Sequence, residues 1–453
     1  MVKTDLIIIG SGPGGYRSAC YAAARGLSVT VFESAEAGGT CLNCGCIPTK
    51  SLCRNAEVID TLRDASALGL ESLSYTLDFG KIMERKNSVV AQLRNGVETL
   101  MRTPGITFVN KKAKLTSGHT VVTDEEEYTA GDIIIATGSH AKIPPIKGAQ
   151  LQGVVTSTEL LDIPSVPKRL CIVGAGVIGM EFASVFSSFG SEVTVVEFMK
   201  EALPTLDSDI AKRLRQTIGK RGVTFHMQTA VKEIEEKTDS CGARVLNVIT
   251  DKKGKTLEVE ADTVLIATGR SANTGGLGLE EAGIEYDSKG IHTDDNFATN
   301  VPHIYAIGDV NGKCMLAHAA TFQGIHVVNH ILGTPDGIRP DIMPSAIFTN
   351  PEAASVGLSE DRCKELGLEY TCKKGFFRSN GKALAMNETD GMVKLISDSD
   401  GRIIGCHMFG AHASDMVQEI TALMNAGVTT SRLAEIIHIH PTLSEILCDM
   451  CIG

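Results

Sequence analysis

Three cysteines within six positions are the residues of this chain best suited to chemistry. Cys41, Cys44 and Cys46 stand in the run Gly38–Lys50. Closely spaced thiols either bind a metal ion or form a redox-active disulfide. The run contains no histidine, the other common zinc ligand. The cluster therefore predicts disulfide chemistry rather than a metal site.

Spacing alone leaves the disulfide partners open. In a regular helix the Cα atoms of Cys41 and Cys44 would lie roughly 5 Å apart and those of Cys41 and Cys46 roughly 8.7 Å apart. A disulfide tolerates a Cα–Cα separation of up to ~6.8 Å. Regular geometry favours Cys41–Cys44, whereas a Cys41–Cys46 bond requires a distorted turn, which Gly45 and Pro48 are able to supply.

The cluster follows a strand, a glycine turn, a helix and a second strand. These parts are the apolar run Leu6–Ile9, the glycines Gly10, Gly12 and Gly15, the alanine-rich stretch Tyr16–Arg25, and the strand Ser28–Phe32 followed by Glu33. The glycines let the backbone approach a pyrophosphate at the amino terminus of the helix, and the acid accepts hydrogen bonds from ribose hydroxyls. The arrangement predicts a dinucleotide site.

The same arrangement recurs in the middle of the chain. Its parts are the strand Leu170–Val173, the glycines Gly174, Gly176 and Gly179, and the strand Glu192–Val196 followed by Glu197. Each copy closes with a similar strand, Asp132–Gly138 in the first and Asp262–Gly269 in the second. The repetition predicts two bound dinucleotides. A carboxylate at Glu197 favours the free 2′-hydroxyl of NAD and repels the 2′-phosphate of NADP.

Length, charge and cysteine usage bound the class of protein. The 453 residues predict two to four domains, and the net charge of -11 argues against nucleic-acid partners and anionic membrane surfaces. No apolar run reaches membrane-spanning length, and the first residues lead straight into a strand, so we expect a cytoplasmic protein. An odd number of cysteines predicts mostly reduced, buried thiols. The cysteines expected to be such thiols are Cys20, Cys53, Cys171, Cys241, Cys314, Cys363, Cys372 and Cys406.

The run Gly38–Lys50 resembles the redox segment of the pyridine nucleotide-disulphide oxidoreductases, which include lipoamide dehydrogenases, glutathione reductases and mercuric reductases. In that segment a C-x4-C pair forms the active disulfide, so the resemblance implies a Cys41–Cys46 bond. Relatives commonly carry valine at the position of Cys44, and a Cys41–Cys44 bond remains the alternative. The resemblance covers nearly the whole chain, and it implies an FAD site, an NAD site and a homodimer.

The resemblance also assigns site residues. Positions matching FAD contacts, besides the first glycine turn and Glu33, are Lys50, Ala113, Thr137, Gly138, Ser139, Asp309 and Ala317. On the NAD side, Val231 and Gly269 match positions that line the cofactor. Lys50 and Glu181 match an ion pair beside the flavin ring, where a nearby ammonium would stabilise reduced flavin and thiolate.

The carboxy-terminal segment contains a histidine suited to proton transfer. His440 and Glu445 match the family's catalytic base and its orienting acid, and His440 would serve the disulfide of the partner subunit. We expect His438 to be a packing residue. The residues Leu443 and Ser444 after this histidine favour the lipoamide dehydrogenase branch of the family. The tail thiols Cys448 and Cys451 are expected to pack at the end of a helix, although they could instead pass electrons outward.

The two nucleotide motifs predict an α/β protein with two Rossmann-like dinucleotide-binding domains, and the resemblance implies a carboxy-terminal α+β dimerisation domain and the reaction that follows. The expected boundaries are 1–150 for the FAD domain, 151–270 for the NAD domain, 271–340 for a central domain and 341–453 for the interface domain. The expected reaction is oxidation of protein-bound dihydrolipoamide to lipoamide with reduction of NAD. The lipoyl carrier would be an acyltransferase subunit of a 2-oxoacid dehydrogenase complex or the carrier protein of glycine cleavage. The alternatives are an NAD(P)H-dependent reductase of a thioredoxin-like or small disulfide, and a non-catalytic complex subunit.

Overall fold

The computed structural model describes residues 1–240 and 242–452, so Cys241 lies outside the described residues. The chain forms two compact units. The first comprises Met1–Ser51, Gly80–Lys142 and Gly269–Ile338, and the second comprises Leu52–Phe79, Ile143–Thr268 and Arg339–Gly453.

The described residues form 24 strands. They are β1 Val2–Ile9, β2 Val29–Phe32, β3 Ile106–Val109, β4 Lys114–Ser117, β5 Thr120–Val122, β6 Glu127–Ile135, β7 Ser139–Ala141, β8 Val154–Val155, β9 Arg169–Val173, β10 Glu192–Glu197, β11 Thr224–Met227, β12 Ala230–Thr238, β13 Arg244–Lys252, β14 Lys255–Ala261, β15 Thr263–Ile266, β16 Arg270–Ala272, β17 Tyr286–Asp287, β18 Gly290–Ile291, β19 Ile304–Ala306, β20 Ser345–Ile347, β21 Glu352–Gly357, β22 Thr371–Phe376, β23 Met392–Ser397 and β24 Ile403–Gly410.

Thirteen helices lie between or after these strands in the described residues. They are α1 Pro13–Ala23, α2 Gly39–Cys44, α3 Cys46–Arg63, α4 Phe79–Leu100, α5 Ser157–Leu160, α6 Val177–Ser188, α7 Ser208–Lys220, α8 Ala317–Ile331, α9 Glu360–Leu366, α10 Gly381–Met386, α11 Ala413–Asn425, α12 Thr430–Leu433 and α13 Glu445–Ile452, with 3-10 turns at Ala65–Leu68, Gly308–Asn311 and Phe377–Ser379.

The first unit is built on one sheet with strand order β3-β2-β1-β6-β5-β4, and β19 pairs with β6. Strands β3, β2, β1, β6 and β19 run parallel, and both faces of the sheet are buried. Leu6 and Ile8 enter one apolar core while Ile7 and Ile9 enter the other, as the two-residue period of a strand requires. Helix α8 packs so closely on α1 that a Cβ at Gly324 would overlap the Ser18 hydroxyl.

The second unit repeats the parallel plan and adds two antiparallel sheets. Its parallel sheet has the order β11-β10-β9-β15-β8, so the predicted second dinucleotide fold is confirmed. The three-stranded sheet β12-β13-β14 packs with it through Ile234, Leu246 and Val248. The carboxy-terminal sheet β20-β21-β24-β23-β22 carries α11 and α13 on its apolar face.

The predicted fold class, two Rossmann-like folds followed by an α+β domain, is therefore confirmed. The domain boundaries at residues 150, 270 and 340 stay a prediction. Within the described residues, no helix is long and apolar enough to cross a membrane.

A buried ion cluster lies on the other face of the carboxy-terminal sheet. Lys394 in β23 is 2% exposed, and its Nζ donates to both oxygens of the fully buried Asp207 at 2.7 Å and to Glu360 at 2.6 Å. Asp207 also caps α7 by accepting from the Asp209 N–H. Burial alone would lower the pKa of Lys394, but hydrogen bonds to the two carboxylates outweigh it and raise this pKa. The hydrogen bond from Lys394 lowers the pKa of Glu360 to about 2.

We expect Lys394→Met to lower the free energy of unfolding by about 3–5 kcal/mol, because it leaves the buried charge of Asp207 without its cation. Urea unfolding followed by circular dichroism measures the change. The matched control is Lys374→Met in the neighbouring strand β22, where the lysine is exposed and its pair with Asp209 should contribute at most about 1 kcal/mol. Equal effects of the two substitutions would contradict the assignment.

Candidate functional site

The carboxyl ends of four parallel strands in the first unit meet at one edge of the sheet. Ile9 lies opposite both Phe32 and Ile135, and Ala306 lies opposite Ile135. The residues that follow these ends are those that the sequence assigned to the first nucleotide, namely Gly10, Glu33, Thr137 and Asp309. Ligands of open parallel sheets bind at such an edge, where the strand order reverses.

Glycine is required at this edge by close backbone contact. Gly10 has a φ of +105°, and a Cβ there would overlap the carbonyl oxygen of Ala136. A Cβ at Gly15 would overlap the carbonyl oxygen of Gly10, whereas the space above Gly12 is open, with no atom closer than 4.0 Å. The Glu33 carboxylate accepts hydrogen bonds from the Ser11 N–H at 2.9 Å and the Ser11 hydroxyl at 2.7 Å. The turn is therefore closed on one side and open on the other.

The second unit repeats this geometry. Gly174 has a φ of +109°, and a Cβ there would overlap the carbonyl oxygen of Ala267. A Cβ at Gly179 would overlap the carbonyl oxygen of Gly174, and the space above Gly176 is open. The Glu197 carboxylate accepts from the Ala175 N–H at 2.6 Å.

Both turns fit the pyrophosphate of a dinucleotide. Helices α1 and α6 begin after Gly12 and Gly176, and neither has a side-chain cap on its amino terminus. Their first N–H groups are thus available to an anion, and the open space above each glycine is where the phosphates would lie. Glu33 and Glu197 stand at the strand ends where ribose hydroxyls would follow.

The disulfide lies at a break between two helices of the same segment. Cys41 and Cys46 are bonded, with their Cα atoms 4.7 Å apart. Helix α2 ends at Cys44 and α3 begins at Cys46, so Gly45 stands between them outside the helical conformation, with φ -143° and ψ -113°. A Cβ at Gly45 would lie 2.9 Å from the carbonyl oxygen of Thr40.

The break explains the pairing. The regular-helix argument that favoured Cys41–Cys44 is wrong because the helix is interrupted, and the pairing implied by the resemblance is confirmed. Gly45 supplies the distortion. Pro48 lies in the first turn of α3, where a missing N–H costs little. Among residues 1–240 and 242–452, no three His, Cys, Asp or Glu side chains are arranged to hold a metal ion.

Lys50 and Glu181 are each placed by a helix. Lys50 lies four residues after Cys46 in α3, so the two side chains share one face of that helix. Glu181 is buried in α6 of the second unit, and its Oε1 accepts a hydrogen bond from the Phe348 N–H at 3.0 Å. The ion pair between Lys50 and Glu181 stays a prediction.

A polar cluster that the sequence only partly predicted surrounds Asp309. The Ser139 hydroxyl donates to the Asp309 carboxylate, and Arg270 donates to the hydroxyl of Ser139 at 2.7 Å and to its carbonyl oxygen at 2.6 Å. Sequence reasoning missed Arg270, although it directly follows Gly269. The guanidinium fixes the Thr137-Gly138-Ser139 turn against the carboxylate expected at the ribityl chain of FAD. Strands β7 and β16 hold this arrangement by antiparallel pairing.

The remaining cofactor positions lie at element ends. Ala317 is the first residue of α8, which has no side-chain cap, so backbone N–H groups are available there. Ala113 is buried immediately before β4. Val231 is half-buried in β12 of the second unit, and Gly269, with a φ of +108°, precedes β16 in the first unit.

His440 and Glu445 form the expected hydrogen-bonded pair. His440 Nδ1 lies 2.8 Å from Glu445 Oε1, and the other oxygen accepts from the Thr442 N–H at 2.7 Å. The hydrogen bonds from Thr442 and then from His440 lower the pKa of Glu445, so the carboxylate is ionised at neutral pH. The His440 side chain is 80% exposed, which leaves its Nε2 available for proton transfer.

His438 differs from His440 in having both ring nitrogens occupied. Its Nδ1 lies 2.8 Å from the Ile436 carbonyl oxygen and its Nε2 lies 2.9 Å from Glu419. Burial lowers the pKa of His438, but these two acceptors outweigh burial and raise it overall. The expected packing role of His438 agrees with these contacts.

Most thiols outside the cluster are at least partly buried. Cys171, Cys363 and Cys406 are buried, and burial raises the pKa of Cys171 to about 12. In the tail, the predicted helix is α13, in which Cys448 is buried with its Sγ 3.7 Å from the Ile436 carbonyl oxygen. Burial raises the pKa of both Cys448 and Cys451, so these thiols are poor nucleophiles.

Comparison with known proteins finds relatives over nearly the full length. Residues 4–324 match the family described as pyridine nucleotide-disulphide oxidoreductase, and residues 343–451 match its dimerisation domain. A dihydrolipoyl dehydrogenase of Chlamydia muridarum (strain MoPn / Nigg) is 38% identical over 452 residues, which are 98% of this chain and 95% of the relative. One from Bacillus subtilis (strain 168) is 39% identical over 456 residues, covering 99% and 96%. Among solved structures, the Cu(II) complex of the HOCl-induced flavoprotein disulfide reductase RclA from Escherichia coli matches with a TM-score of 0.86 at 30% identity, covering 98% of this chain and 99% of that chain.

We expect most molecules of Gly45→Ala to lack the Cys41–Cys46 disulfide, because the added methyl group forces α2 and α3 apart at Thr40. To keep Cys44 from pairing with Cys41, the titration is made in a Cys44→Ser background, where the oxidised, denatured Gly45→Ala protein should show two more free thiols than its Gly45 parent. Gly96→Ala is the matched control, since a Cβ there meets no atom within 4 Å and the disulfide should persist. An unchanged thiol count in Gly45→Ala would show that the break tolerates a side chain.

Proposed function

The chain belongs to the pyridine nucleotide-disulphide oxidoreductase family, and we propose that it oxidises protein-bound dihydrolipoamide to lipoamide, with FAD as its flavin and NAD as the electron acceptor. The observation that carries this proposal is the Cys41–Cys46 disulfide, formed in a chain that also has two open pyrophosphate turns. The relatives named dihydrolipoyl dehydrogenase, which this chain matches end to end, support the choice of substrate.

Cys41 and Cys46 perform the thiol–disulfide exchange. A thiolate of dihydrolipoamide attacks the Sγ of Cys41, the Cys41–Cys46 bond breaks, and Cys46 leaves as a thiolate. The second substrate thiol then attacks the substrate sulfur bonded to Cys41, which closes the lipoamide disulfide and releases Cys41. The substrate has lost two electrons and two protons, and the cysteine pair is reduced. Bound FAD would supply the two-electron relay between these thiols and NAD.

His440 is the base that takes the thiol proton, acting on the disulfide of a second copy of the chain. Glu445 holds the ring by its Nδ1, which leaves Nε2 as the proton acceptor. Large apolar side chains flank the histidine in solvent, since Ile437 is 98% exposed and Ile439 is 79% exposed in one copy. Such exposure, in a region matching a dimerisation domain, supports a homodimer that covers this segment.

The second nucleotide is assigned to NAD by Glu197. Its carboxylate already accepts the Ala175 and Met199 N–H groups and stands where the adenosine ribose would follow the pyrophosphate turn. A 2′-phosphate would bring a second negative charge beside it. Val231 and Gly269 are proposed to line the nicotinamide half, and Lys50 with Glu181 is proposed to stand beside the flavin ring.

A reductase that works through Cys448 and Cys451 is less well supported. Both thiols belong to α13, and the raised pKa of each keeps it protonated. The partner we propose instead is a lipoyl-bearing carrier, either an acyltransferase subunit of a 2-oxoacid dehydrogenase complex or the carrier of glycine cleavage, in the cytoplasm.

The deciding experiment measures NAD reduction by dihydrolipoamide with the purified yellow protein. We expect rapid turnover in the wild type and none in Cys46→Ser, which should keep its flavin absorbance because the pyrophosphate turns are intact. Cys372→Ser is the control, because that half-buried thiol lies in β22 of the carboxy-terminal sheet and is none of the residues assigned to the disulfide exchange or the nucleotide turns. Failure of the wild type on dihydrolipoamide, together with tail-dependent reduction of thioredoxin, would move the function to the rival reductase.

We expect Glu445→Gln to lower kcat by about tenfold or more. The reason is that the neutral amide no longer attracts the protonated ring. The loss should not exceed the ~10²–10⁴-fold that a positioned general base contributes in full. Flavin content and dimer mass should stay unchanged. Glu435→Gln removes a carboxylate from an exposed pair with Arg432 and should leave kcat as it is. If Glu445→Gln kept the wild-type dependence of kcat on pH, the carboxylate would have no part in the mechanism.

A further inference from the structure

A third cysteine lies in the same segment as the redox disulfide and has no role in the reaction above. Cys44 is the last residue of α2, is half-buried, and belongs to no disulfide. Cys41 and Cys44 are three residues apart in that helix and therefore project from the same face. Their Cα atoms lie roughly 5 Å apart in regular helical geometry, inside the range of up to ~6.8 Å that a disulfide tolerates.

The end of α2 is fixed in this position by hydrogen bonds. The side-chain amide of Asn43 donates to the carbonyl oxygens of Ala37 and Gly39, each at 3.0 Å, and its Oδ1 accepts from Arg94 at 2.8 Å. Arg94 in turn pairs with Glu36 at 3.2 Å. These contacts keep Cys44 one helical turn from Cys41, while the break at Gly45 brings Cys46 within bonding distance of Cys41. The backbone therefore presents two thiol positions to one sulfur.

We propose that Cys44 is a third redox thiol of this site, which exchanges with the Cys41–Cys46 disulfide to give a Cys41–Cys44 disulfide. The Cys44 thiolate attacks the Sγ of Cys41, the bond to Cys46 breaks, and Cys46 leaves as a thiolate that takes up the proton Cys44 lost. No electrons are gained or lost, so no external oxidant is needed. The chain then has two oxidised forms that differ only in whether Cys44 or Cys46 lies outside the disulfide.

The exchange changes what the site is able to do. In the first form Cys46 is oxidised and is reduced when substrate attacks Cys41. In the second form Cys46 is already a thiol, and attack on Cys41 releases Cys44 instead. The two forms therefore direct the leaving electron pair to different sulfurs, and only the first supports the turnover proposed above. The exchange itself requires only the three cysteines and is independent of the identity of the substrate.

The test is to identify which of the three cysteines lies outside the disulfide in the oxidised wild-type holoenzyme. The protein is held at pH 8.5 for an hour so that exchange equilibrates, quenched in acid, denatured and alkylated at low pH with N-ethylmaleimide. Digestion gives one peptide containing all three cysteines, because no lysine or arginine separates Arg25 from Lys50. Fragmentation then places the label on Cys44 or on Cys46.

We expect labelling of Cys46 at least about tenfold above that in Cys44→Ser, where exchange has no nucleophile. We also expect Cys46→Ser, reduced and then oxidised with excess cyclic dithiothreitol disulfide, to form the Cys41–Cys44 bond, which the double variant Cys44→Ser/Cys46→Ser does not. Absence of label on Cys46 in oxidised wild type overturns the proposal, even where the variant forms the bond. Because mapping needs no turnover, it decides this proposal separately from the dihydrolipoamide assay.

Discussion

Both nucleotide turns depend on how closely a strand and the following helix approach each other at one glycine. The carbonyl oxygen of Gly10 occupies the place where a side chain at Gly15 would begin, and Gly174 and Gly179 repeat the contact. Because the backbone closes there, α1 and α6 direct uncapped N–H groups across the carboxyl edge of each sheet. Glu33, Glu197, the Thr137 turn and Asp309 are able to reach a nucleotide only because the backbone holds that edge in place.

This dependence explains why so much of the fold was predictable. The glycine turns, the acids that follow them and the apolar strands are local signals, and each needs only about thirty residues of context. The strands β1, β2, β9 and β10 occur within a few residues of their predicted places. The pair His440–Glu445 was implied by the family resemblance rather than by a local signal, and the structure forms it because the two residues are five positions apart and α13 begins at the acid.

The parts that sequence reasoning missed depend on contacts between distant segments or on one irregular residue. Regular-helix geometry favoured Cys41–Cys44 and left the pair open, the family resemblance implied Cys41–Cys46, and the conformation of Gly45 is what permits that bond. Arg270 reaches Ser139 across 131 positions of sequence, so no local pattern indicated it. The burial of Lys394 against Asp207 joins residues 187 apart, and the strand pattern around Lys394 is otherwise that of an ordinary exposed lysine.

The pairing of β19 with β6 also limits when the sheet of the first unit can be completed during synthesis. The segment Ile133–Ile135 of β6 is synthesised early. Its partner Ile304–Ala306 is synthesised only after all strands of the second nucleotide fold. At about 5–20 residues per second the ribosome leaves that apolar strand edge without its partner for roughly ten to thirty seconds. During that interval the nascent first unit is exposed to edge-to-edge aggregation. The parallel sheet of the second unit begins later in the chain, but its last strand, β15, is synthesised before β19 completes the sheet of the first unit.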